Sequence, residues 1–203
     1  MTMKKINAFE QGEAILKTLS KGAFLTTAAD GKQNTMTIGW GSLGFKWGQP
    51  TFTVMVRQSR YTKELIDANP EFTVSFPVKE GFAPALGLCG SKSGRDLDKF
   101  AAACLTTEAG ETVSVPVIKG CGLHLECKIV EHYTMAEDKF DKELGEKWYA
   151  NKDWHTCYTG IITAANVEKK QAKNYNKCKS SCRLAAAAFS MRVNVRCRAK
   201  SGR

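Results

Sequence analysis

Apolar and polar positions alternate with a period of two along residues 51–57. Phe52, Val54 and Val56 share one face there, and Thr53, Met55 and Arg57 share the other, the pattern of a half-buried strand. The same period recurs at 123–129, where Leu123, Leu125, Cys127 and Ile129 alternate with His124, Glu126 and Lys128. Strands are also expected at 22–27 and 34–40, joined as a hairpin by the turn signal Ala29-Asp30-Gly31, and at 71–78, within 113–133 around Gly120 and Gly122, and at 160–165. Short helices are expected at 13–19, stopped near Gly22, then from an N-cap at Ser59 through Asp67, ended by Asn69-Pro70, and at 82–89 and 98–103. Residues 139–149, charged and aromatic, read as a helix or loop over one end of the molecule. The expected fold is mainly β with short helices, and no internal repeat interrupts it.

A chain of 203 residues with 43% hydrophobic content can bury one sizeable core, so a single domain is expected over 1–168. No run of about 18 apolar residues suggests a membrane helix, and residues 1–6 lead into polar sequence instead of a signal-peptide core. A cytoplasmic protein without membrane association is the expectation.

The net charge of +10 would ordinarily point to nucleic acid, so its distribution matters. Residues 171–203 hold nine Lys and Arg and no Asp or Glu, which leaves 21 basic against 20 acidic residues elsewhere. The basic balance therefore belongs to a segment, 169–203, whose composition suggests disorder and whose abrupt change suggests a shifted reading frame or a vector-encoded extension. A basic arm for nucleic acid is the less favoured rival. Among the eight cysteines, Cys89, Cys104, Cys121, Cys127 and Cys157 are separated by 15, 17, 6 and 30 positions, which gives no pair of zinc-ligand hooks. Free buried thiols and no metal are expected, with packing favoured over reactivity for Cys89.

Candidate chemistry gathers in two places. Ser59, Arg60 and Thr62 put two hydroxyls and a guanidinium at a helix start, where unpaired N–H groups and the helix dipole attract an anion; a capped surface helix with a solvated arginine is the plain alternative. The preceding strand, with Asn34, Thr35 and Thr37 leading into Gly39-Trp40-Gly41, offers donors, acceptors and an aromatic wall to a planar heterocycle, or is simply a Thr-rich edge strand. The loop Ser91-Lys92-Ser93-Gly94-Arg95 has the hydroxyls, cations and glycine of an anion-binding concavity, or is a solvated connection.

Four segments in order, N-T-M-T-I-G-W from Asn34, R-Q-S-R-Y-T from Arg57, E-F-T-V-S-F-P from Glu71 and C-G-S-K-S-G-R-D-L-D-K-F from Cys89, together resemble the flavin reductase-like, flavoredoxin-type FMN-binding proteins. The late H-T-C-Y-T-G-I-I from His155 fits as well, and the resemblance spans about 22–165. It implies an FMN-binding split β-barrel with Greek-key connections, assembled as a homodimer. It further implies that Asn34, Thr35, Met36, Thr37 and Trp40 line the isoalloxazine ring, that Ser59, Arg60 and Thr62 hold the phosphate, and that Ser93, Gly94 and Lys99 complete the site.

The implied activity is NAD(P)H-dependent flavin reduction, with NADH or NADPH as transient donor. The alternatives are electron carriage to a redox partner protein without nicotinamide oxidation, or a split barrel acting as a ligand-binding module. The sequence holds no Rossmann G-x-G-x-x-G, so nicotinamide would bind without that fingerprint. His124 would face solvent or flavin, His132 and His155 flank strands, and no catalytic acid or base is assigned because flavin itself carries hydride chemistry.

Overall fold

The computed structural model describes residues 3–168. The expectation for the segment 169–203 lies outside them. The strands are β1 (Met3–Lys5), β2 (Ala23–Ala29), β3 (Lys32–Ile38), β4 (Gly41–Lys46), β5 (Gln49–Arg57), β6 (Glu71–Pro77), β7 (Thr107–Glu108), β8 (Val117–Ile118), β9 (Gly122–Thr134) and β10 (His155–Glu168). The α-helices are α1 (Gly12–Leu19), α2 (Tyr61–Ala68), α3 (Ala83–Ser91), α4 (Lys99–Ala102) and α5 (Lys142–Tyr149). Eight strands form one antiparallel sheet in the order β3-β2-β6-β9-β10-β5-β4, with β1 also on β10, and β7 pairs with β8 apart from it.

The sheet is forced to curl. Its edge strands β3 and β4 are consecutive in sequence and joined only by Gly39 and Trp40. Seven strands laid flat would put the outermost about 29 Å apart at the usual spacing. Three Cα steps reach no more than about 11 Å. The edges are therefore brought together into a barrel whose seam carries no ladder between β3 and β4: a split barrel.

Tight turns fix the hairpins. Asp30 and Gly31 both have positive φ, 50° and 72°, as a two-residue turn that follows strand twist requires. Trp47 and Gly48 repeat that geometry between β4 and β5, a hairpin that the sequence reading left unassigned.

Inside the barrel, Phe52, Val54 and Val56 of β5 meet Phe72, Val74 and Phe76 of β6, Leu123 and Leu125 of β9 and Tyr158 of β10, all buried. Each large apolar side chain contributes about 1.5–3 kcal/mol by leaving water. Phe52 and Phe76 pack edge to face with centroids 5.8 Å apart. Gly160 sits at a register shift between β10 and β9, where a Cβ would lie 2.8 Å from the Cys127 Cβ and 2.9 Å from the Phe72 ring. The core depends on a bare backbone at that point.

The polar face of β9 is covered at His124 and Glu126, where solvent or flavin was expected for His124, and exposed at Lys128. The 109–118 segment lies over that first part, so both faces are buried there. His124 is fully buried, with Nδ1 3.0 Å from Ser75 Oγ and Nε2 3.2 Å from Glu168 Oε1. Glu168 also accepts from Lys79 Nζ at 2.7 Å and from the Gly120 N–H at 2.6 Å. Glu126, likewise buried, accepts from the Glu111 and Thr112 N–H groups. Alternation thus marked the polar face correctly, but these side chains are satisfied inside instead of hydrated. The strands expected within 113–133 are β8 and β9, separated at Gly120.

Burial works against the Glu168 carboxylate, yet its bonds to His124, Lys79 and Gly120 outweigh that and hold its pKa down to about 2. A depressed carboxylate pKa stabilises the fold above the unfolded value near 4.5 and loses that contribution as pH falls towards 2. Glu168→Gln is expected to destabilise the protein by about 3 kcal/mol near neutrality. In chemical denaturation the gap between variant and parent should shrink progressively from pH 4.5 down to 2; a gap independent of pH contradicts this role.

Candidate functional site

Two adjoining clefts open where β3 meets the start of α2 and the loop after α3. The first, about 120 Å³, is lined by Asn34, Met36, Thr37, Arg60, Thr62 and Lys99, among others, with Ser59, Ser93 and Gly94 on its rim and walls. The second, about 260 Å³, is lined by Met36, Thr37, Ile38, Gly39, Trp40, Met55, Arg57, Arg60 and His155. Met36, Thr37 and Arg60 belong to both.

Of the residues singled out in the sequence, all but Thr35 therefore line one of these clefts. The Thr35 side chain shares its strand face with Thr37 but is fully buried, with Oγ1 donating to the Leu25 carbonyl at 3.2 Å and bonded to Thr26 Oγ1 on the paired strand, so its hydroxyl is taken up between β2 and β3. Its carbonyl accepts from Lys99 Nζ at 3.0 Å.

Lys99 does not face water. It is buried, and its ammonium donates to the Thr35 and Cys89 carbonyls, at 3.0 and 3.1 Å, which binds α4 and α3 to β3. Burial, foremost, lowers its pKa, with Arg60 adding repulsion. Asp98 is the N-cap of α4, and its carboxylate accepts from the Phe100 and Ala101 N–H groups. Cys89 lies beside it, buried, its thiol pushed up to about 11 by burial, as packing demands and reactivity does not.

Asn34 is held by donation from Nδ2 to Thr62 Oγ1 at 2.8 Å. Gly94 crosses directly over it: a Cβ there would stand 2.1 Å from Asn34 Oδ1. Any side chain at 94 would displace Asn34, so the loop approaches β3 this closely only as glycine.

The helix start differs from expectation by one residue. Arg60, with φ −78° and ψ 136°, is the N-cap of α2, and no side chain caps it. Ser59 is turned away, its N–H and Oγ donating to Asp153 at 3.2 and 2.6 Å. Arg95 reaches across to pair with Glu64, donates to the Ser59 carbonyl at 3.2 Å and lies 5.4 Å over the Tyr61 ring, so its charge is spent on fixing the loop. The guanidinium of Arg60, a residue exposed and shared by both clefts, has no ion pair or hydrogen bond among the described residues.

The second cleft is aromatic and cationic. Trp40 stands edge to face against Trp148 at 5.0 Å and 5.5 Å from the His155 ring. His155 Nδ1 is 2.7 Å from the Tyr149 hydroxyl. Burial and then the Arg57 charge push its pKa down to about 4, so the imidazole is neutral at pH 7. Arg57 donates to the Asp153 and Trp148 carbonyls, at 2.7 and 3.0 Å, and lies over the Tyr149 ring. His155, Arg57, Met55 and Asp153 were not among the residues assigned from sequence; the H-T-C-Y and R-Q-S-R segments contain two of them, His155 and Arg57, but only the pairing of β10 with β5, His155 opposite Arg57, joins them.

Residues 16–183 match the family described as the flavin reductase like domain, a span that begins earlier and ends later than the motifs at 22–165. An uncharacterized protein of Escherichia coli K12, YddH, is 30% identical over 118 residues, covering 57% of this chain and 60% of that protein. The chain thus spans 60% of the length of the first curated relatives it matches. Among solved structures, flavoredoxin from Methanosarcina acetivorans is similar with a TM-score of 0.56 and 26% identity, covering 78% of this chain and 90% of the other. The NADH:FAD oxidoreductase SgcE6 of Streptomyces globisporus shares the fold, with a TM-score of 0.56, 20% identity and coverage of 72% and 75%. With most of its length matched and a split barrel formed around the motif residues, the chain belongs to the flavin reductase-like domain family.

Proposed function

We propose that the chain binds FMN noncovalently and works as an NAD(P)H-dependent flavin reductase. The observation that carries this reading is the pair of clefts joined through Met36, Thr37 and Arg60: one narrow and rich in donors, the other wider and walled by Trp40. A phosphate suits the first, where Arg60 offers an unengaged guanidinium and α2 offers its N-terminal N–H groups. A planar ring suits the second, between Met36, Thr37 and Trp40. Asn34, Thr62, Ser93 and Gly94 shape the first cleft, and Lys99 holds its floor. Bound flavin would supply the hydride chemistry; the protein's part is to bind, orient and shield it.

A flavoredoxin-type carrier, passing electrons to a protein partner, is the second reading, favoured by the likeness to flavoredoxin and by the exposed Trp40 and Trp148 at the mouth of the second cleft. Homodimeric assembly belongs to the proposal too: Phe45, Trp47 and Tyr133 are large and exposed on the β4, β5 and β9 side of the barrel. A cytoplasmic setting belongs to the proposal as well, and no helix among the described residues is long and apolar enough to cross a membrane.

Arg60→Ala is expected to weaken FMN about tenfold while leaving riboflavin within about twofold, because one charge-assisted bond to phosphate is worth roughly 1.5 kcal/mol or more. Fluorescence titration reads this, and equal weakening of both flavins contradicts a phosphate role for Arg60. Anaerobic mixing of the FMN-loaded protein with NADH or NADPH separates the two activities. Rapid bleaching of the flavin absorbance is expected for the reductase; bound FMN that stays oxidised with either donor leaves the carrier.

A further inference from the structure

Ser59 lines the first cleft, yet both of its donors already hold an anion. The Ser59 N–H donates to Asp153 Oδ1 at 3.2 Å, and its hydroxyl donates to Asp153 Oδ2 at 2.6 Å. This is a two-pronged grip on a carboxylate immediately before the N-cap of α2, at the mouth of a cleft where Arg60 and the helix start favour negative charge. Asp153 comes from the segment between α5 and β10, 94 positions away. Its grip on Ser59 is not needed to hold that segment. The Asp153 carbonyl accepts from Arg57, the Trp154 carbonyl accepts from the Gln58 N–H at 3.3 Å, and the Asp153 N–H donates to Asn151. The carboxylate can leave Ser59 with its own backbone still anchored.

We infer that Asp153 is an internal stand-in for the ligand's phosphate and thereby sets discrimination between FMN and riboflavin. With the cleft empty, its carboxylate satisfies Ser59. When a phosphate dianion arrives, Ser59 exchanges one anion for the other, and the displaced carboxylate turns outward into solvent, which its half-buried position allows. Two consequences follow from charge alone. Phosphate binding bears the cost of breaking the Ser59–Asp153 bonds and of a nearby like charge, whereas riboflavin, which has no phosphate, bears neither. Asp153 is a positioning residue of the phosphate cleft, and its carboxylate tempers affinity for the phosphorylated flavin.

This inference rests on the FMN-binding reading, and the test separates the two. Dissociation constants for FMN and riboflavin are measured by flavin fluorescence for the parent, Asp153→Asn, Ser59→Ala and the double variant, at low and high salt. Thermal melts confirm that all four fold. Asp153→Asn is expected to tighten FMN by about threefold to tenfold and to leave riboflavin unchanged, with the gain shrinking at high salt. Ser59→Ala is expected to weaken FMN, and in that background Asp153→Asn should gain less, because the two residues act through one contact. If Asp153→Asn weakens both flavins equally, or leaves their ratio unchanged, Asp153 merely braces the loop and the inference fails while FMN binding stands. If the parent binds neither flavin, the FMN reading itself fails.

Discussion

Gly39 and Trp40 are all that separate two strands lying at opposite edges of a seven-strand path. That short tether closes the sheet into a barrel and leaves the seam open, because β3 and β4 meet end to end without pairing side by side. The rest of the site inherits its position from this constraint. The unpaired side of β3 receives α3 and α4 through the Lys99 ammonium, which joins the Thr35 and Cys89 carbonyls. The tether itself puts Trp40 at the rim, and β5, whose C-terminal end feeds α2, brings Arg57 and Arg60 to the same opening.

Charge in this opening is allotted by use. Lys99 is buried and tied to carbonyls, Arg95 is paired with Glu64, and Arg57 holds the segment before β10 through two carbonyls. His155, though flanked by arginines, is kept neutral by burial and by Arg57. Arg60 is left with its guanidinium uncommitted, at the point common to both clefts. A site with structural cations at its edges and, among the described residues, unengaged cationic groups on Arg60 and Lys92 attracts an anion without being occupied by its own scaffold. The partial exception is Ser59, whose donors are taken by Asp153.

Local periodicity and turn chemistry made much of this legible. The alternation in β5 marked its buried face correctly, Asp30-Gly31 marked a real hairpin, and the Asn34, Arg57 and Cys89 segments led to residues that share two adjoining clefts. What stayed hidden depended on contacts far apart in sequence. Thr35 was read with its neighbours although its hydroxyl is engaged by Thr26 and the Leu25 carbonyl of the adjacent strand. Ser59 looked like a cap because the carboxylate that engages it comes from residue 153. His124 read as facing solvent or flavin because no local signal shows that the 109–118 segment covers this part of β9 and that Ser75 and Glu168 satisfy the ring. His155 had no assigned role until pairing of β10 with β5 set it opposite Arg57.

The central claim is that one flavin mononucleotide spans both clefts through Arg60, and a crystal structure of the protein with FMN tests it most directly. The account predicts phosphate against Arg60 and the first turn of α2, with the isoalloxazine ring in the cleft walled by Met36 and Trp40. A ring bound elsewhere on the barrel, or a phosphate remote from Arg60, would contradict it.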